Sequence, residues 1–105
     1  MVRQNAELKA QQLIDQGIAY HRDGKIKKAI DCFRKAWQTA PLPQALNNWA
    51  SVLWEKGKAA EALEVLEPLR KVAGLLPYTH ALASLCHSAL GQTEEARREL
   101  GLAIR

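Results

Sequence analysis

The chain has 105 residues, room for one domain built on a single core of about 100–150 residues, so two independent enzymatic domains are excluded. Hydrophobic residues make up 48% and charged residues 25%, which excludes the polar composition of a disordered chain and fits a folded, water-exposed domain. The net charge of +4 comes from fifteen Lys and Arg interspersed with eleven Asp and Glu, a spread that argues against nucleic acid as the principal partner. The apolar runs are a few residues long, far short of the roughly 20 needed to cross a bilayer. Residues Met1 to Ala10 include Arg3, Glu7 and Lys9 and lack the apolar core of a secretory signal, so the expected location is the cytoplasm. Two cysteines, Cys32 and Cys86, are too few for a disulfide scaffold and are expected to be reduced and structural.

In chain order, the hydrophobic spacing predicts helices over 5–22, 25–39, 43–56, 59–73, 78–90 and 93–104. Leu13, Gly17 and Tyr20 share a face of the first, and Ala29, Phe33 and Ala36 a face of the second, by steps of three and four. Gly24, Gly57 and Gly91 each follow a helix and supply the left-handed backbone that ends it. Pro41 and Pro43 break the chain before the third helix, and Pro77 opens the fifth. Pro68 falls inside the fourth, removes a hydrogen bond to Glu64 and is expected to kink it. Thr93 with Glu94 and Glu95 is the expected capped start of the sixth.

The three glycines recur at intervals of 33 and 34 residues, and the surrounding residues keep the same register. A small residue stands seven before each glycine (Gly17, Ala50, Ser84), an alanine five after (Ala29, Ala62, Ala96) and a large apolar residue four further on (Phe33, Leu66, Leu100). Small residues facing each other let two helix axes approach, and the large residue one turn onward fills the adjoining gap. The pattern resembles the tetratricopeptide repeat, W-x2-L-G-x2-Y, A-x3-F and P at a period of about 34 residues. Leu13, Gln16, Gly17, Tyr20, Ala29, Phe33 and Pro41 take those places in the first unit, with Leu13 for Trp and Gln16 for Leu. The second unit has Leu46, Trp49, Ala50, Leu53, Ala62 and Leu66, with Gly74 where Pro is expected. The third, His80, Ala83, Ser84, His87, Ala96 and Leu100, diverges most.

The resemblance implies an all-α solenoid of three helix-turn-helix repeats, about 10–42, 43–76 and 77–105, wound as a right-handed superhelix with residues 1–9 as a helical extension. It further implies a concave groove lined by the first helix of each pair, where a segment of another protein binds. The groove places are Gln11, Ile14, Asp15, Ile18, His21 and Arg22 in the first unit, and Gln44, Asn47, Asn48, Ser51, Trp54 and Glu55 in the second. In the third they are Tyr78, Ala81, Leu82, Leu85, Ser88 and Ala89. Asn48 stands where many members keep an asparagine that hydrogen-bonds a peptide backbone. The subfamily that clamps chaperone C-termini needs Lys and Asn on the first helix and basic residues on the fifth. Ile14, Ile18, Tyr78 and Leu82 hold those places here, which points away from that partner and toward a ligand with apolar side chains.

Sharper chemistry finds little support. His80 and His87 lie on one face with Ser84 between them, but both occupy repeat-core places and no acid or thiol is spaced to complete a metal set. Lys25, Lys27, Lys28, Arg34 and Lys35 on the second helix are expected to be a solvated face, with a surface for acidic partners or nucleic acid as the alternative. Trp49 takes a core place and Trp37 sits near a helix end, while Trp54 is free for either groove contact or packing. There is no phosphate-binding glycine loop, nucleophile elbow or paired-carboxylate motif. The expected function is a non-enzymatic protein-interaction module without cofactor or metal. The alternatives are a nucleic-acid-associated or regulatory module using the basic second helix and a self-assembling structural unit. The sixth helix ends in Leu100-Gly101-Leu102-Ala103-Ile104-Arg105 with no polar cap after it. Either the chain is an excerpt, or the third repeat is covered by another subunit in a homo-oligomer.

Overall fold

A computed structural model describes residues 2–70 and 77–103. Those residues form six helices: α1 (Val2–Arg22), α2 (Ile26–Thr39), α3 (Pro43–Glu55), α4 (Ala59–Arg70), α5 (Pro77–Ala89) and α6 (Thr93–Ala103). Residues 2–9 continue α1 as the expected extension. The expected effect of Gly74 on the connection, and the ends of the fourth and sixth helices beyond Arg70 and Ala103, lie outside the described residues.

The three turns are built alike. Gly24, Gly57 and Gly91 have φ of +78°, +79° and +76°, which an L side chain adopts only at a cost. In the first turn the Gly24 N–H donates to the His21 carbonyl at 3.0 Å and the Lys25 N–H to the Tyr20 carbonyl at 2.8 Å. Gly57 with Lys58, and Gly91 with Gln92, repeat this pair of bonds. Helix-terminal carbonyls are thereby satisfied and the chain reverses in the same geometry each time. The next residue opens the following helix: the carbonyls of Lys25, Lys58 and Gln92 accept from Ala29, Ala62 and Ala96. Gln92, not Thr93, is therefore the last residue before α6, because the turn consumes Gln92 first and leaves Thr93 already helical. Pro43 and Pro77 occupy the first positions of α3 and α5, where the missing N–H costs nothing.

Within each pair the small residues meet as the register requires. Gly17 is buried, and a Cβ there would lie 2.5 Å from the Phe33 ring. Ala50 and Ala62 are both fully buried, and in the third pair the Ser84 hydroxyl donates to the Ala96 carbonyl at 2.8 Å. Successive pairs stack into two layers: α1, α3 and α5 approach closely in sequence on the inside, whereas among the described residues the backbones of α2 and α4, and of α4 and α6, stay apart and α4 reaches α6 through the Arg70–Glu99 ion pair. An inner layer in contact and an outer layer splayed apart is what curves the array. Two buried clusters run through it, one centred on Ile14, Phe33 and Val52, the other on Leu46, Leu66 and Leu82. Ile30, Trp37 and Trp49 pack against both and join them into one core.

Candidate functional site: the inner face

Among the residues expected to line the groove, the large apolar side chains left exposed are Ile18 on α1 and Tyr78 and Leu85 on α5, by 43%, 55% and 46%. Between them α3 presents half-buried Asn48, Ser51 and Trp54. The Asn48 Nδ2 donates to the Gln44 carbonyl of its own helix at 2.8 Å, which holds the side chain along the helix and leaves its Oδ1 as the acceptor for an incoming N–H. At the far end His21 Nε2 lies 2.7 Å from Glu55 Oε2 and ties α1 to α3.

Three residues expected on the groove surface are instead buried. Ile14 is 1% exposed and belongs to the cluster with Ala10, Ala45 and Val52, where α3 crosses α1. Leu82 is 4% exposed and packs with Leu46, Leu53 and Cys86 beneath α5. Asn47 accepts a hydrogen bond at its Oδ1 from the buried Thr79 hydroxyl at 2.9 Å, joining α3 to α5. Each stands on a flank of its helix that packs against a neighbouring pair, so packing between repeats buries it. Ile18, His21, Asn48, Ser51, Trp54, Tyr78 and Leu85 remain accessible.

Elsewhere the candidate chemistry resolves into structure. Glu99 of α6 is 4% exposed, with Oε2 2.7 Å from His80 Nδ1 and Oε1 2.7 Å from Arg70 Nη2, so one carboxylate clasps α4, α5 and α6. The sequence reading found no acid for His80. The signal was Glu99 itself, a charge three residues after Ala96 on a face that otherwise packs inward. His87 Nδ1 is 2.6 Å from Gln92 Oε1, and its buried Nε2 has no hydrogen-bond partner. No group of three or more His, Cys, Asp or Glu among the described residues is placed to hold a metal ion. Both cysteines are unpaired and buried; desolvation pushes the Cys32 thiol up, and the Cys86 thiol up to about 11. On α2, Arg34 is 2.7 Å from Asp31 and the Lys28 ammonium is 5.6 Å from the Tyr20 ring centre, so part of the basic cluster is already engaged. No helix among the described residues is long and apolar enough to cross a membrane.

The comparisons agree with this geometry. The tetratricopeptide-repeat family model matches residues 13–41. Among solved structures, the first tetratricopeptide domain of Spaghetti (RPAP3) bound to the HSP90 peptide SRMEEVD superposes with a TM-score of 0.86 at 25% identity. The match covers 93% of this chain and 79% of that one. No curated protein matches the chain. The chain thus has the all-α helix-pair fold of tetratricopeptide solenoids. The family model's match falls on its first pair, and its six described helices form three pairs.

Proposed function

We propose that this solenoid is a non-enzymatic protein-interaction module whose inner face receives a segment of another protein bearing apolar side chains. The observation that supports the reading is the exposure of Ile18, Tyr78 and Leu85 on the first helices of their pairs, with the unpaired Oδ1 of Asn48 on the helix between them. Apolar side chains of the ligand would be removed from water against those residues at roughly 25 cal/mol per Å², and Asn48 would fix the backbone's register. The similar RPAP3 domain binds an HSP90 peptide with an acidic end. Here the clamp places hold exposed Ile18 and Tyr78 and buried Ile14 and Leu82, none of them a cation, so we expect a ligand of different chemistry. Two buried, unpaired thiols fit a reducing compartment, in keeping with a cytoplasmic protein.

The test is capture from native lysate with the wild-type chain, Asn48→Ala and Leu85→Asp. Both variants change accessible side chains and should keep the helical circular dichroism while losing bound partners. Leu82→Asp is unsuitable because it would put a charge into the core. Identical partner recovery by both variants would sink the groove assignment, and binding that falls steeply with salt would favour the basic face of α2 instead.

A second reading, self-association through the third repeat, is supported by a different surface. Leu85 and Leu100, the latter 51% exposed, flank a trough of about 450 Å³ between α5 and α6, floored by Ser84 and half-buried Ala81 and Ala96. Light scattering at micromolar concentration should show a dimer that Leu100→Glu returns to monomer; a concentration-independent monomer counts against it.

A further inference from the structure

On the outer side, the gap left where the backbones of α2 and α4 stay apart is an open cleft of about 510 Å³ above α3. That volume is within the range of ligand sites. Half-buried Trp37 and Trp49 wall it, and buried Leu46 floors it. The α4 rim carries exposed Glu61 and Glu64, and among the described residues neither has a hydrogen-bond or ion-pair partner and no Lys, Arg or His lines the cleft. In a chain of net charge +4, this is a local concentration of negative charge beside two indole rings. Pro68 adds to it: the proline has no N–H to give to the Glu64 carbonyl, so a backbone oxygen on the same rim lacks its usual helical donor. A residue that breaks a local rule without a packing gain commonly marks a working surface.

We infer that the cleft between α2, α3 and α4 is a second docking site, which takes a basic side chain, flanked by apolar residues, from a segment of a partner protein. A lysine or arginine combines what the cleft offers. Its aliphatic stem lies on Leu46 and the indole walls, its cation meets the indole faces and the two carboxylates, and its N–H groups serve the Glu64 carbonyl. The site is independent of the inner groove, since α3 separates the two faces and Trp54 does not line the cleft.

The three tryptophans supply the assay. With 15N-labelled chain, a blocked Leu-Arg-Leu peptide should shift the indole N–H signals of Trp37 and Trp49 in a saturable way while Trp54 stays still. The matching Leu-Gln-Leu peptide should shift none of them. Glu61→Gln with Glu64→Gln, at exposed sites that leave the core untouched, should weaken binding about fivefold. Asn48→Ala and Leu85→Asp should leave this titration unchanged even if they abolish groove binding. Four outcomes overturn the inference: no shift up to about 10 mM peptide, movement of Trp54 instead, equal shifts with the Gln peptide, or an unaltered affinity in the double Gln variant.

Discussion

Gly17 is the residue at which the first pair is most tightly constrained. Glycine inside a helix ordinarily costs about 1 kcal/mol relative to alanine, so Gly17→Ala should stabilise if α1 were free on that face. A Cβ there, however, lies 2.5–2.9 Å from three atoms of the Phe33 ring. The substitution should therefore destabilise by about 1–2 kcal/mol in urea denaturation, and adding Phe33→Leu should recover part of the loss. Cys86 gives a pH prediction. Burial raises its thiol from the ordinary 9.0 to about 11, so between those values the unfolded chain releases a proton that the folded chain keeps. Its contribution to stability is intact below pH 9 and falls as pH rises toward 11. Urea midpoints measured across that window should decline less in Cys86→Ala than in wild type, and Cys86 should resist thiol reagents until the chain is unfolded.

At the scale of helices, polar links decide how the pairs are held to one another. Asn47 and Thr79 form a buried hydrogen bond between α3 and α5, one repeat apart in the array. Thr79→Val leaves the Asn47 oxygen buried without its donor and should cost about 1–3 kcal/mol. Replacing both, as Asn47→Leu with Thr79→Val, should cost less than the sum of the two single changes, measured by a thermal-denaturation cycle. The Glu99 clasp works in the same way across α4, α5 and α6, with Arg70 and His80 each satisfying one carboxylate oxygen. The repeated glycine turns contribute differently, by setting the direction of each helix with backbone bonds alone.

At the scale of the molecule, the array should unfold as one unit. The two buried clusters share Ile30, Trp37 and Trp49, and Leu82, Ala83 and Cys86 of the third pair belong to the same cluster as Leu46 and Leu66. All three tryptophans lie in the first two pairs. Tryptophan emission and far-ultraviolet circular dichroism should then give one coincident urea midpoint. Loss of dichroism ahead of the emission change would mean that the third pair comes apart first, as weakly coupled repeats do. The curvature also belongs to this scale: close approach along α1, α3 and α5, with the backbones of α2 and α4 apart, closes the inner face and opens the outer cleft.

The sequence by itself determined the helices, their pairing and the turns between them. These follow from short-range causes: apolar steps of three and four, a glycine for each positive φ, and small residues opposite one another at a fixed register. It also assigned Ile18, Asn48, Tyr78 and Leu85 to the first helix of each pair, where the fold leaves them accessible. Only the tertiary structure decided which flank of each inner helix a neighbouring pair covers. That is why Ile14, Asn47 and Leu82 lie in the core although their repeat positions pointed to the groove. The same packing brought Glu99 to His80 across 19 residues, and Trp37 together with Glu61 and Glu64 around one cleft. Such encounters depend on the angle between neighbouring pairs, which many residues set jointly and no local spacing encodes.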